Sequence, residues 1–194
     1  DEHTIRIKGS QIYKKRDISV EGGYSNAAFF DALNYLGGNV SVKGLDGLSA
    51  QGDRVYKDIF PLIQKGTPIV DISDCPDLAP ILMALAAAYN GAVFTGTHRL
   101  QIKESNRGMA MKTELAKFGC RVDVEENKIT VHKCKLKTPQ IPLEGHNDHR
   151  IVMALSILST ITGGTIYGVQ AVEKSLPDFF NRLKAIGIKV AISE

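Results

Sequence analysis

The chain has 194 residues, 43% hydrophobic and 23% charged, with 24 basic residues against 21 acidic. That composition excludes disordered, collagenous and low-complexity classes and leaves ample length for a packed core. A net charge of +3, with no Lys/Arg block longer than Lys14-Lys15-Arg16, speaks against a purely electrostatic nucleic-acid binder.

In chain order, the glycine-rich Val20-Glu21-Gly22-Gly23-Tyr24-Ser25 leads into a helix over residues 26–36. It is apolar on nearly every side and stops at Gly37-Gly38. Asn39-Val40-Ser41-Val42 alternates as a strand does. An amphipathic helix then runs from Gln51-Gly52-Asp53 to Gln64-Lys65-Gly66, ahead of extended Ile69-Val70. The order returns. Asp74-Cys75-Pro76-Asp77 opens an apolar helix over 78–89, Asn90-Gly91 ends it, and Ala92-Val93-Phe94 is a strand. Ser105-Asn106-Arg107 opens a helix through Phe118, Gly119 caps it, and Arg121-Val122-Asp123-Val124 alternates. From Ile141 it returns again. His146-Asn147-Asp148 opens the helix 151–160, Gly163-Gly164 stops it, and Thr165-Ile166-Tyr167 is a strand. Ser175-Leu176-Pro177-Asp178, with the spacing of a capping box, opens the last helix, and a strand over 188–192 closes the chain.

Three units, about 12–70, 71–140 and 141–194, thus repeat one order: strand, buried helix, strand pair, exposed helix, strand. None can bury a core alone, so the reading is one α/β domain over 1–194 with the units packed about a pseudo-threefold axis. Cys75, Cys120 and Cys134 form no CxxC; the odd, sparse count suits a reducing cytoplasm and argues against a disulfide scaffold. Cys75 reads as a buried thiol rather than a nucleophile. The apolar runs fall short of the roughly 18–20 residues of a membrane span, and no segment reads as a signal peptide. Nucleotide-loop, zincin and nucleophile-elbow motifs are absent from the sequence.

The chemistry concentrates at helix starts. Arg107 follows the plausible caps Ser105 and Asn106, so a cation faces the positive end of a helix dipole. A solvated basic end is the ordinary reading and costs a few tenths of a kcal/mol; a bound anion would remove the conflict. His149 and Arg150 repeat the anomaly at the start of an apolar helix, where a buried guanidinium wants a carboxylate or phosphate fork. For His149 the ordinary reading is a histidine bonded to backbone. Lys174 alone reads as solvated, and Asp77 as a carboxylate stabilising its helix start while Asp74 competes for the cap. If the ends converge, Asp77, Lys103, Glu104, Arg107, Arg150 and Lys174 make a cationic pocket holding two carboxylates. Such a pocket suits a small, multiply anionic substrate and proton transfer.

In Leu100-Gln101-Ile102-Lys103-Glu104-Ser105-Asn106-Arg107, Asn147-Asp148-His149-Arg150-Ile151-Val152-Met153-Ala154 and Lys174-Ser175-Leu176-Pro177-Asp178-Phe179-Phe180, the chain resembles the EPSP synthase (3-phosphoshikimate 1-carboxyvinyltransferase) family. Asp74-Cys75-Pro76-Asp77 and the segment 20–27 fit as well, and the similarity runs from about residue 10 to the C-terminus. The resemblance implies βαβαββ-like repeats with buried helices inside and sheets outside. It implies enolpyruvyl transfer from phosphoenolpyruvate to the 5-hydroxyl of shikimate 3-phosphate, in the cytoplasm, with no metal or organic cofactor and no nucleic-acid or membrane partner. Carried over by motif, Asp77 binds the shikimate hydroxyls and is a candidate base. Glu104 exchanges the proton at the phosphoenolpyruvate methylene, and Lys103 contacts the shikimate side. Arg107 and Arg150 clamp the phosphoenolpyruvate carboxylate, Lys174 meets its phosphate, and His149 orients its neighbours.

The chain departs from the family pattern in two places: Asn106 where Asp is more frequent, and Gly23 where Asp is usual. Arg99 falls where some relatives contact shikimate and stays outside the core set. The motifs of the family's N-terminal half do not occur in the sequence. With Asp1 rather than Met at its start, the chain is expected to be the C-terminal domain of a longer enzyme, inactive without that partner domain. The rival readings are the sister transferase acting on UDP-N-acetylglucosamine and a non-catalytic ligand-binding module of the same repeat. The Lys-Glu-Ser-Asn-Arg and Asn-Asp-His-Arg motifs speak against the first. The helix-start cations, which a decayed site has no reason to keep, speak against the second.

Overall fold

In a computed structural model, residues 4–193 are described; residues 1–3 and 194 lie outside them. Three apolar helices form the centre: α1 (Tyr24–Tyr35), α3 (Ala79–Ala88) and α5 (His149–Thr162), with α2 (Tyr56–Lys65) between the first two in sequence. Each central helix packs on the other two. Residues 79–87 of α3 and 149–158 of α5 are buried without a break, as helices apolar on every side require. The amphipathic α2 and α4 (Arg107–Lys117) pack on α3, and α4 also reaches α5.

The strands divide unequally. β1 (Ile69–Asp71), β2 (Gly91–Thr95), β3 (Val122–Val124) and β4 (Lys128–His132) form one sheet in the order β1-β2-β4-β3. β1 and β2 are parallel with α3 as their crossover, while β4 runs antiparallel to both β2 and β3. β5 (Leu143–Glu144) and β6 (Ile166–Tyr167) make a second, two-stranded parallel pair on either side of α5. α6 (Phe179–Ala185) follows a 3-10 helix over Val169–Lys174. The fold is therefore α/β, with the order of buried and amphipathic helices read from the sequence.

Four expectations need correction. Residues 39–42 form no strand, because the Asn34 amide takes both backbone groups of Val40 in bonds of 2.9 and 2.6 Å. Residues 188–192 form none either. The Ile188 N–H closes the end of α6 on the Leu183 carbonyl, with Gly187 left-handed at φ 93°. The capping box at Ser175 does not form: the Asp178 carboxylate pairs with Arg182 at 2.8 Å and makes no cap bond, while Ser175 Oγ is buried without a partner. Finally, Cys120 and Cys134, from the end of α4 and the segment after β4, are joined as a disulfide with Cα atoms 5.3 Å apart. The folded hairpin β3–β4 brings together two cysteines 14 residues apart, which spacing alone does not reveal. No helix among the described residues is long and apolar enough to cross a membrane.

Candidate active site

The site is assembled from three helix starts. Pro76, which needs no N–H partner, opens a 3-10 turn over Pro76–Leu78 ahead of α3 and sets Asp77 in its first turn. Cys75 holds the cap position with no side-chain bond, so Asp74 does not act as the competing cap. A 3-10 turn over His98–Ile102 delivers Lys103 and Glu104 in front of α4. There Asn106 caps the helix by accepting from the Met109 N–H at 3.1 Å, and Arg107 is its first residue. Asp148 caps α5 by accepting from the Arg150 N–H at 2.9 Å, with His149 and Arg150 following.

Arg107 ties these starts together. Its Nε donates to Asp148 Oδ2 at 2.9 Å, Nη1 to Asp77 Oδ1 at 2.7 Å and Nη2 to Glu104 Oε2 at 2.7 Å. Asp77 also receives Lys103 Nζ on Oδ1 at 3.2 Å and Arg150 Nη2 on Oδ2 at 3.0 Å. Ser105 Oγ donates to Asp148 at 3.0 Å. Three cations, Lys103, Arg107 and Arg150, thus meet three carboxylates, Asp77, Glu104 and Asp148. Burial divides the carboxylates: Asp148 is 0% exposed and Arg107 1%, whereas Asp77 is 32% and Glu104 37% exposed.

Two side-chain nitrogens are left over. Arg150 Nη1 and His149 Nδ1 are buried without a hydrogen-bond partner, the latter 3.8 Å from Glu104 Oε1. Lys174 stands beside the cluster rather than in it, with Nζ on the Asn147 carbonyl at 2.5 Å and Asn147 Oδ1 at 2.9 Å. It joins the site through the Asn147-Asp148 peptide.

The electrostatics follow from this geometry. Burial would raise the Asp77 carboxyl, but Arg150, Arg107 and Lys103 outweigh it and hold the group at about 2. Asp148 is likewise held below the usual carboxylate range, Arg107 overcoming the opposing effect of burial. Burial and then Arg150 push the His149 imidazole down, favouring its neutral form. Asp53, bonded to Ser25 Oγ, is pushed up by burial and lies within the field of Asp77, Arg150 and Lys103. The carboxylates bind guanidinium and ammonium groups, and among the described residues no three His, Cys, Asp or Glu side chains form a metal-ligand set.

Five of the residues singled out from the sequence, Asp77, Lys103, Glu104, Arg107 and Arg150, are in one ion-pair network; His149 abuts it and Lys174 flanks it. Sequence reasoning missed Asp148 as an ion-pair partner, having read it only as part of the segment that opens the helix 151–160. It also missed Asp53 and Asn147. Asp148 and Arg107 lie 41 positions apart, a separation at which no local pattern registers.

The sequence model of the family described as EPSP synthase (3-phosphoshikimate 1-carboxyvinyltransferase) matches residues 63–183, more than half of the chain. A 3-phosphoshikimate 1-carboxyvinyltransferase of Clostridium acetobutylicum is 39% identical over 199 residues, covering 93% of this chain and 46% of that protein. One from Clostridioides difficile is 32% identical over 203 residues, covering 95% and 46%. The chain spans about half the length of the curated relatives it matches. Among solved structures, an EPSP synthase from Acinetobacter baumannii superposes with a TM-score of 0.57 at 24% identity, over 90% of this chain and 42% of that one. At that identity the match speaks for the fold alone.

Proposed function

Because the chain belongs to the EPSP synthase family, we propose that it is the C-terminal half of a cytoplasmic 3-phosphoshikimate 1-carboxyvinyltransferase, a single three-repeat domain that works with a second half. The reaction joins the 5-oxygen of shikimate 3-phosphate to C2 of phosphoenolpyruvate. The hydroxyl proton leaves and the methylene carbon gains a proton, giving a tetrahedral intermediate. The C–O bond to phosphate then breaks and the methyl group returns a proton, so the products are the enol ether and phosphate.

The observation that carries this reading is the meeting of Lys103, Arg107 and Arg150 on Asp77, with Arg150 Nη1 buried and unpartnered. A buried guanidinium N–H left without an acceptor is costly, and an anionic oxygen is its natural complement. In our reading Arg150 takes the phosphoenolpyruvate carboxylate first, and Arg107 joins by exchanging its half-exposed partners, Asp77 and Glu104. Asp148 stays in place because it is fully buried and caps α5. The exchange also suits the chemistry. At about 2, Asp77 is too weak a base for a hydroxyl proton. Anionic ligands on Arg107 and Arg150 lessen the pull of those cations and raise it. Glu104, freed from Arg107, is the group for the methylene proton; neutral His149 orients it, Lys103 faces the shikimate side and Lys174 meets the phosphate.

The test is phosphate release from shikimate 3-phosphate and phosphoenolpyruvate by this chain mixed with the companion half, with Glu104→Gln as the control. Release that needs both halves and Glu104 is the expected result. Turnover by the chain alone overturns the need for a companion half; no release with both halves folded and associated, or release that survives Glu104→Gln, overturns the assignment. A competition with UDP-N-acetylglucosamine as acceptor separates the sister transferase.

A further inference from the structure

One buried carboxylate takes no part in the ion-pair network or in the roles above. Glu114 lies about two turns beyond Arg107 on α4 and is fully buried. Three donors meet it: Lys117 Nζ at 2.8 Å, the Glu144 backbone N–H at 2.9 Å and His146 Nε2 at 3.0 Å. Lys117 goes on to the Pro142 carbonyl at 2.9 Å. A charge is costly to bury, so a side chain whose only task was packing would be apolar.

The donors show where the constraint acts. Residues 142–145 run directly into His146 and Asn147, which have positive φ of 51° and 52°. Neither is glycine, and two consecutive left-handed residues are strained unless the surroundings hold them. The imidazole of the first is held by Glu114. The second points its carbonyl and Oδ1 at Lys174 Nζ, and the residue after it is Asp148, the partner of Arg107.

We infer that Glu114 is a positioning residue: by fixing His146 and Glu144 it holds the left-handed His146-Asn147 turn that presents Lys174. The affinity of the site for a phosphate-bearing ligand then depends on a carboxylate that touches no ligand. The inference rests on the proposed function for Lys174 as the group that meets the phosphate and for phosphoenolpyruvate as the probe.

The test is a double-mutant cycle. Phosphoenolpyruvate is titrated into the chain, into Glu114→Gln, into Lys174→Met and into the double variant, each checked for a cooperative unfolding transition. Glu114→Gln should weaken binding on the order of tenfold when Lys174 is present and far less when it is Met. Equal losses in both backgrounds mean a merely structural role and overturn the inference. His146→Ala, at a partly exposed position, cuts the link while leaving Glu114 its other donors, and should show the same non-additivity if Glu114→Gln fails to fold. Should the wild-type chain alone bind no phosphoenolpyruvate, amide exchange decides the positioning role. In that case His146→Ala and Glu114→Gln should speed exchange of the Asp148 N–H, which donates to the Gly145 carbonyl at 2.9 Å, with α4 still protected. Unchanged exchange at Asp148 overturns the inference.

Discussion

Replacing Arg107 with Met tests the site at its most buried point. The guanidinium is 1% exposed and its partner Asp148 is 0% exposed, so water screens neither. Without Arg107, Asp148 keeps only Ser105 Oγ and the Arg150 N–H, and a buried carboxylate loses its counter-charge. Breaking a buried pair from one side costs about 3–5 kcal/mol, a large share of the ~5–15 kcal/mol that holds a domain together. With a urea dependence of about 2 kcal/mol per M, the unfolding midpoint should fall by about 2 M. Arg107→Lys should fall between Met and wild type, since one ammonium cannot span Asp148, Asp77 and Glu104. The control is Arg107→Met combined with Asp148→Asn. Asn still caps α5 and carries no charge, so the double variant should recover part of the loss. A loss under about 1 kcal/mol for Arg107→Met, or a double variant less stable than the single, would refute the claim that this pair is buried and coupled.

Acid should weaken the fold through the same carboxylates. Asp77 sits at about 2 and Asp148 below its ordinary 3.8, so their stabilisation is complete above about pH 4. It is lost as pH falls toward 2, because there the unfolded chain binds more protons. Asp77→Asn should flatten the urea midpoint between pH 4 and 2, and an unchanged slope would contradict the ion-pair geometry. Thiol titration checks the cysteines. Burial pushes the Cys75 thiol up to about 12, so it should resist labelling in the native chain. After unfolding without reductant one thiol should react, and with reductant three; three without reductant, or rapid native labelling, contradicts the structure.

What the sequence made legible was helical and local. Alanine, leucine and methionine on every face of α3 announce a helix packed on all sides, and Gly119 closes α4 at a φ of 86° that other residues resist. Asn106 and Asp148 cap helices where their side chains suggest. Strand readings fared worse because a strand needs a partner the local pattern cannot name. Val40 looks like a strand residue, yet the Asn34 amide reaches its backbone first. The site divides the same way. Residue types at helix starts flagged Lys103, Arg107 and Arg150. Asp148 and Glu114 escaped notice because a cap position and the polar side of an amphipathic helix already account for a carboxylate.

The cations at the starts of α4 and α5 posed a physical question, since they oppose the helix dipole and call for an anion. The folded chain answers it internally: Asp148 lies against Arg107, and Asp77 against both arginines and Lys103. The need for an anion read from the sequence is therefore met before any ligand arrives at every point but Arg150 Nη1, and beyond that point a ligand must compete with carboxylates already in place. That competition is uneven. Asp148 is buried and anchored by its cap, so displacing it would open α5; Asp77 and Glu104 are half-exposed and hydrate at little cost once released. The replaceable pair are the two carboxylates to which proton transfer is assigned. Under the proposed function, anion binding and base activation become one event, because the oxygens that take up Arg107 and Arg150 are the ones that free Asp77 and Glu104 to accept protons.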